Sequence, residues 1–493
     1  YGISYDAMAS LFTTSWKHKS VRACSPLYLY WDVFNDMGCP GGVIVHYFFD
    51  NWNGLVHALD SSKLLQAPSP MGRMFVTGFK GVKGKSKELV KQAIADHDTV
   101  DISQALRQVD FKDDKPKALL GRKIDDCSPY VKYKGIKASG VPMFIVAGWL
   151  DGSARSSINL FCHAAKSSGS RLLIGPWTHG GVQHAGLGPK QKTTYSSFHK
   201  IMRSGRSRLV GEVVKFFAEC REEGANSDRS GSSRHVGKES ITYYTMNSPF
   251  GVGSWKHTNS WPPKQLTVEC LYLNMRQKGE AKISLTPPSC DSDLQFEAKS
   301  SHAPRGHSRY HTMIFIADKL NYFRAKNSGH VFMDSRPLDC HLEVTGTPYI
   351  ELWLSSSDND ADIIVYLEDY DPISGHVSYV TEGVFRASHR KIQRSEACRS
   401  HLQATIPPGI PFWHSFNKAD AEPLVPNKPT QVMFELMPTS YCFQRDSCIR
   451  LSFSGSDEAH YLHKMKEQRN ITLYSGPKMM SRLFLPQKVI NLE

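Results

Sequence analysis

Two continuous apolar runs, each closed by glycine, constrain this chain more than any other feature. Pro142 to Ala147 ends at Gly148, and Arg171 to Ile174 ends at Gly175 and Pro176. Runs this short, without alternation, fit strands buried on both faces, the pattern of parallel sheets covered by helices. Between them, Ala154 to Lys166 carries Ile158, Phe161 and Cys162 at helical spacing. After them, Leu209 to Cys220 places Val213, Phe216 and Phe217 on one stripe. Strand, helix, strand, helix predicts an α/β layer over residues 139–225, with residues 1–32 joining it.

Beyond a polar Ser/Gly-rich stretch at 225–238, the period changes to two. Thr347 to Ser355, Gln431 to Met437 and Cys448 to Phe453 all alternate. Short alternating strands between Gly, Pro, Asn and Asp clusters predict an antiparallel sandwich over 239–493. Residues 33–138 are aromatic-rich, with helical signals at Lys87 to Asp96 and Ile102 to Val109, and are expected to form a helical cap. A chain of 493 residues is too long for one core.

The net charge of +13 is scattered, and its one dense cluster, Lys80, Lys83, Lys85, Lys87 and Lys91, reads as a solvated face. No nucleic-acid partner is expected, and no apolar run approaches a membrane span. Eleven cysteines without a C-x-x-C pair call for neither a zinc site nor a disulfide framework. They favour a reducing, cytoplasmic setting, and neither metal nor cofactor is expected.

Three residues could do chemistry together. Ser4, in Tyr1-Gly2-Ile3-Ser4-Tyr5-Asp6-Ala7, sits after glycine and before a helix-compatible run. Asp151, in Gly148-Trp149-Leu150-Asp151-Gly152, follows a buried strand, as does His179 in Gly175-Pro176-Trp177-Thr178-His179-Gly180-Gly181. Each alone is commonplace, since a serine after glycine, a turn aspartate and a loop histidine are usually structural. Their order, Ser then Asp then His, is that of the α/β hydrolases, and one strand-helix-strand unit separates acid from base. A serine hydroxyl needs such an imidazole, and the imidazole needs a carboxylate to hold its tautomer.

The segments GISYDA, GWLDG and GPWTHGG resemble the nucleophile, acid and base motifs of the cocaine-esterase and Xaa-Pro dipeptidyl-peptidase family. PLDCHLEVTGTPYIELWLSSSDNDADIIVYLEDY, EGVFRASHR, PFWHSFNKADAEPLVPNKP and RLFLP resemble its C-terminal jelly-roll domain. The resemblance implies a partial α/β-hydrolase sheet, a helical cap and a jelly-roll-like β-sandwich. It implies Ser4 as nucleophile, Asp151 as acid and His179 as base, with the Tyr5 backbone N–H in the oxyanion hole. His184 is the second choice for the base, and His163 falls inside a predicted helix. The expected substrate is a small ester or a short peptide. The competing readings are an Xaa-Pro dipeptidyl-peptidase and an inert fragment that acts as a binding module.

Tyr47, Phe48, Phe49 and Trp52 could line an acyl pocket, and Trp149 could face it. Asp32 and Asp36 could meet a substrate ammonium, with a loop or helix-start role as the alternative. The family's turn ends in glycine where this chain has Ala7, which could strain the packing beneath it. The resemblance also implies several strands before the nucleophile turn and a tyrosine hydroxyl from them as a second oxyanion donor. The chain is therefore expected to be an N-terminally truncated member with an exposed sheet edge, aggregation-prone when expressed alone. The stretch from about 238 onward is expected to fold independently.

Overall fold

The computed structural model describes residues 1–60, 87–97, 101–166, 169–180, 207–227, 240–247, 253–275, 281–299, 309–310, 331–393, 403–465 and 468–490. The first layer is a sheet of β1 (Gly2–Ile3), β2 (Pro26–Leu27), β3 (Phe144–Gly148), β4 (Arg171–Gly175), β5 (Ile241–Met246) and β6 (Gly253–Thr258). β1 to β5 lie side by side in chain order, each parallel to the next, and β6 returns antiparallel on β5. Parallel neighbours cannot be joined by a hairpin, so every connection is a crossover carrying helix. All five therefore present their C-terminal ends at one edge.

The helices are α1 (Tyr5–Ser15), α2 (His46–Asp60), α3 (Lys87–His97), α4 (Ile102–Arg107), α5 (Tyr133–Ala138), α6 (Ala154–Leu160) and α7 (Ser207–Ser227). Leu209, Val213 and Phe216 of α7 pack on Leu27, Phe144, Val146 and Trp177 at one face of the sheet. This is the apolar stripe that the helical spacing predicts. α7 runs on to Ser227, beyond the start of the expected linker, the rest of which lies outside the described residues. On the other face, α6 is buried at every residue, polar ones included, because chain covers it on all sides.

The second layer holds β7 (Thr267–Asn274), β8 (Lys282–Ser284), β9 (Ser292–Lys299), β10 (Val331–Ser335), β11 (His341–Gly346), β12 (Tyr349–Ser356) and β13 (Asp362–Tyr370). It continues with β14 (Val377–Arg386), β15 (Thr430–Glu435), β16 (Thr439–Phe443), β17 (Cys448–Ser454), β18 (Gln468–Ser475) and β19 (Arg482–Ile490). One ladder runs β14–β13–β17–β10. The other joins β15, β12, β18 and β9, and β19 links β12, β11 and β7. The architecture is an α/β-hydrolase part followed by a β-sandwich.

Two strands depart from the sequence reading. β5 and β6, assigned to the sandwich by their position after residue 239, extend the parallel sheet instead, with Leu172 opposite Ile241. The alternation of a half-buried strand does not reveal which sheet it joins. Nor does the sandwich stand apart. A single apolar cluster runs from Ala7 and Leu11 through Ile145 to Leu473 and Leu485. Trp31 Nε1 donates to Ala404 O at 2.7 Å, and Asn159 Nδ2 donates to Thr405 O at 2.9 Å. β13 and β14 are buried along almost their whole length, and Gly41 of the insertion packs directly on Val384 of β14. Among the described residues no helix is long and apolar enough to cross a membrane.

The seam between insertion and sandwich buries His389, whose ring lies 5.4 Å from those of Phe111 and Phe416. Burial, aided by the Arg386 charge, pushes its pKa down to about 3. An unfolded histidine titrates near ~6.5. Between those values the unfolded chain binds a proton that the folded ring excludes, so acidification costs up to about 1.4 kcal/mol per pH unit from this group. His389→Asn should flatten the pH dependence of the urea midpoint between pH 6 and 4, relative to the parent protein. An unaltered slope would show that this ring is not the source.

Candidate active site

Ser4 sits at the sharp turn where β1 becomes α1, with φ 61° and ψ −124°. A serine in this region carries roughly 1–3 kcal/mol of strain, sustained only when its surroundings over-determine it. They do so here. Its N–H donates to Leu27 O at 2.9 Å, and its carbonyl accepts from Ala7 N at 3.0 Å and Met8 N at 3.3 Å. Gly2 makes the turn possible: a Cβ there would lie 2.3 Å from the carbonyl carbon of Asp6 and 2.6 Å from Ala7 N. Ala7, where the family motif has glycine, is fully buried in the core cluster. The N–H of Tyr5 opens α1, a position without an intrahelical acceptor at the positive end of the helix.

Asp151 lies just past β3. The loop is pinned by backbone bonds from Trp149 N to Gly175 O at 2.9 Å and from Leu150 N to Trp177 O at 3.0 Å. Its carboxylate is fully buried, and Oδ2 accepts from Ser153 Oγ at 2.5 Å and from His179 Nδ1 at 3.0 Å. A carboxylate at Nδ1 assigns the proton to that nitrogen and leaves Nε2 with its lone pair. The ring of His179 stacks on Tyr30 at 6.3 Å and meets the edge of Tyr28 at 5.7 Å. Both tyrosines follow β2, the strand between those that carry Ser4 and Asp151. The imidazole thus leans from β4 back over β2, in the direction of the serine.

Asp151 and His179 are therefore bonded, and Ser4 stands at the same sheet edge. Among the described residues no hydrogen bond joins Ser4 Oγ to His179; such bonds commonly tighten only when substrate is bound. The arrangement holds a strained hydroxyl, a tautomer-fixed imidazole and a buried carboxylate, in the order Ser, Asp, His.

The X-Pro dipeptidyl-peptidase (S15 family) model matches residues 1–181, and the X-Pro dipeptidyl-peptidase C-terminal non-catalytic domain matches 235–477. The chain belongs to this family of serine hydrolases. Among its relatives is a Mycobacterium bovis protein named a serine esterase. It is 29% identical over 509 residues, covering 98% of this chain and 75% of that protein. The cocaine esterase of Rhodococcus is 22% identical over 270 residues, 51% of this chain and 42% of its own. Two solved structures share the fold. A CocE/NonD family hydrolase from Staphylococcus aureus has a TM-score of 0.62 at 16% identity, covering 99% of this chain and 71% of that one. An aminopeptidase from a Thaumarchaeota archaeon has a TM-score of 0.63 at 15% identity, covering 99% and 76%.

Several other candidates of this S15-family chain are placed elsewhere. Trp149 is 1% exposed, donates from Nε1 to Tyr244 O at 2.7 Å and stacks on Trp261 at 5.7 Å, so it fills the core beneath the acid loop. Asp32 and Asp36 are paired internally, Asp32 with Lys112 at 2.7 Å and Asp36 with Arg155 at 2.7 Å. They brace the insertion instead of meeting an ammonium. His163, just beyond α6, bonds to Ile406 O at 2.9 Å. Trp52 stacks on Phe48 at 6.1 Å on α2 and is half-buried against the core cluster. His184 and most of the lysine cluster lie outside the described residues. Sequence reasoning missed Tyr28 and Tyr30, although Tyr-Leu-Tyr directly after a strand was a visible signal. Burial, with the Asp151 charge nearby, holds the Tyr30 phenol well above its usual range.

Gly2→Ala should displace the turn beneath Ser4 more than it unfolds the protein. We expect labelling by a fluorophosphonate to fall at least about tenfold, since small misplacements of reacting groups are costly, with the far-UV spectrum retained. Parent-like labelling would mean that the turn tolerates a Cβ.

Proposed function

We propose that the chain hydrolyses a carboxylic ester or amide through an acyl-enzyme on Ser4. The observation that carries this reading is the 3.0 Å bond from His179 Nδ1 to the buried Asp151, at the edge where the strained Ser4 turn emerges. Ser4 Oγ attacks the carbonyl carbon while His179 Nε2 takes its proton, and Asp151 stabilises the imidazolium. The Tyr5 N–H donates to the developing oxyanion, a contribution typically worth about 2.7–4 kcal/mol per donor. The imidazolium then protonates the leaving alcohol or amine as its bond to carbon breaks. Water, deprotonated by His179, attacks the acyl-enzyme and releases the acid, and the proton returns to Ser4.

An ester is the favoured substrate, because the mycobacterial relatives that span nearly all of this chain are named serine esterases. Trp52 of α2, half-buried, is the aromatic side chain proposed to contact the acyl group. Release of Xaa-Pro dipeptides is the second reading, favoured by the S15 family match. Comparing turnover of an aryl ester with that of an Ala-Pro amide separates the two.

Ser4→Ala in the full-length protein should keep the fold and lose ester hydrolysis to below about one per cent of the parent. Activity retained above that level would remove Ser4 from the mechanism. His179→Ala should no longer react with a fluorophosphonate, because the serine depends on the imidazole for activation. Equal labelling of both proteins would point to another base.

A further inference from the structure

The acid loop is held from below by a residue of the C-terminal half. Arg309 is fully buried, among the largest side chains in the protein to be so. Its Nε donates to Glu382 Oε1 at 3.0 Å, and its Nη2 donates to Tyr379 Oη at 2.5 Å and Thr381 Oγ1 at 3.4 Å, all on β14. The Tyr379 hydroxyl in turn donates to Glu382 Oε2. Thr381 is fixed by its own bond to Met437 O at 2.8 Å. Two of the three nitrogens are thus committed to a rigid strand. The third, Nη1, points out of the sandwich and donates to the carbonyls of Trp149 at 3.3 Å and Asp151 at 3.4 Å.

We infer that Arg309 is a positioning residue of the hydrolase: its guanidinium, anchored on β14, fixes the main chain on either side of the acid and so aims the Asp151 carboxylate at His179. The inference rests on the reading of Asp151 as the catalytic acid. The geometry suits the task. The N–H groups of Trp149 and Leu150 are tied to the β4 strand and its extension. The Asp151 carbonyl also accepts from Ala154 N at 3.4 Å, and a planar fork with a spare N–H meets it together with the Trp149 carbonyl. Lysine, a single flexible point charge, could keep the pairing with Glu382 but could not also span two carbonyls from a fixed plane. Tyr379 also lies under the cation, with Arg309 Cζ 5.8 Å from the ring centroid. The sandwich thereby contributes to the reaction through the geometry of the acid, although it supplies no group that touches substrate.

Three variants of the full-length protein test this: Arg309→Lys, Tyr379→Phe, and the charge-neutral pair Arg309→Met with Glu382→Gln, which leaves no unpaired buried ion. The measurements are the second-order rate of fluorophosphonate labelling as a function of pH, kcat and KM for an aryl ester, and the thermal midpoint. A misaimed carboxylate should lower labelling and kcat together by roughly tenfold to a hundredfold in Arg309→Lys. KM should stay within about twofold, because substrate contacts are untouched. The pH midpoint of labelling should move, since the imidazole's basicity depends on its carboxylate partner. Tyr379→Phe should change in the same direction by a smaller factor. A role in stability alone would lower the thermal midpoint and leave the labelling rate and pH midpoint of the folded protein at parental values. That result, in whichever of the three variants folds, overturns the inference. Ser4→Ala run alongside keeps the two claims apart: labelling retained there sinks the triad itself. No labelling there, with a parental Arg309→Lys, sinks only the clamp.

Discussion

Burying ionised side chains between the layers is the constraint on which the rest of this molecule depends. Arg155, on a helix with no exposed face, is held by Asp36 from the insertion at 2.7 Å and by Glu435 from the sandwich at 2.9 Å. Lys112 meets Asp32 at 2.7 Å, and Arg386 meets Asp362 at 2.9 Å. Removing one member of such a pair typically costs about 3–5 kcal/mol, because the survivor stays out of water without a partner. The Arg386–Asp362 pair crosses the β13–β14 strand pair, whereas the Arg155 and Lys112 pairs join segments far apart in sequence and so fix how insertion, sheet and sandwich register. Apolar contact alone would leave that register loose, since it has no direction.

The candidate site inherits this rigidity. A serine with positive φ persists because its carbonyl, its N–H and the glycine two residues before it are all committed. The acid is buried completely, and its orientation comes from Ser153, His179 and the loop's own backbone bonds. The imidazole is held on one side by the acid and on the other by two tyrosine rings. These are the conditions under which charge developing in a transition state is stabilised without reorganisation.

Family membership and chemistry stand at different depths. The matched models and the shared fold give a serine hydrolase with a jelly-roll-like companion. Substrate choice is a property of the site and not of the fold. In this chain Asp32 and Asp36, placed to meet an ammonium by position alone, are consumed by internal lysine and arginine partners.

By itself the sequence determined the α/β part and the sandwich that follows, and it singled out Ser4, Asp151 and His179 as candidates. Continuous apolar runs, helical stripes and period-two alternation are local consequences of backbone geometry, and the Ser, Asp, His order is one-dimensional information. Only the tertiary structure decided that β5 and β6 join the parallel sheet, because a strand's partner is chosen by long-range hydrogen bonding that leaves no local mark. It alone turned Trp149 inward and paired Asp32 and Asp36, since burial of a side chain depends on what packs over it. It also brought Arg309, which no motif marks, beneath an acid 158 residues away in the chain. A guanidinium has no preference in sequence. Its role follows from the carbonyls that folding leaves facing it.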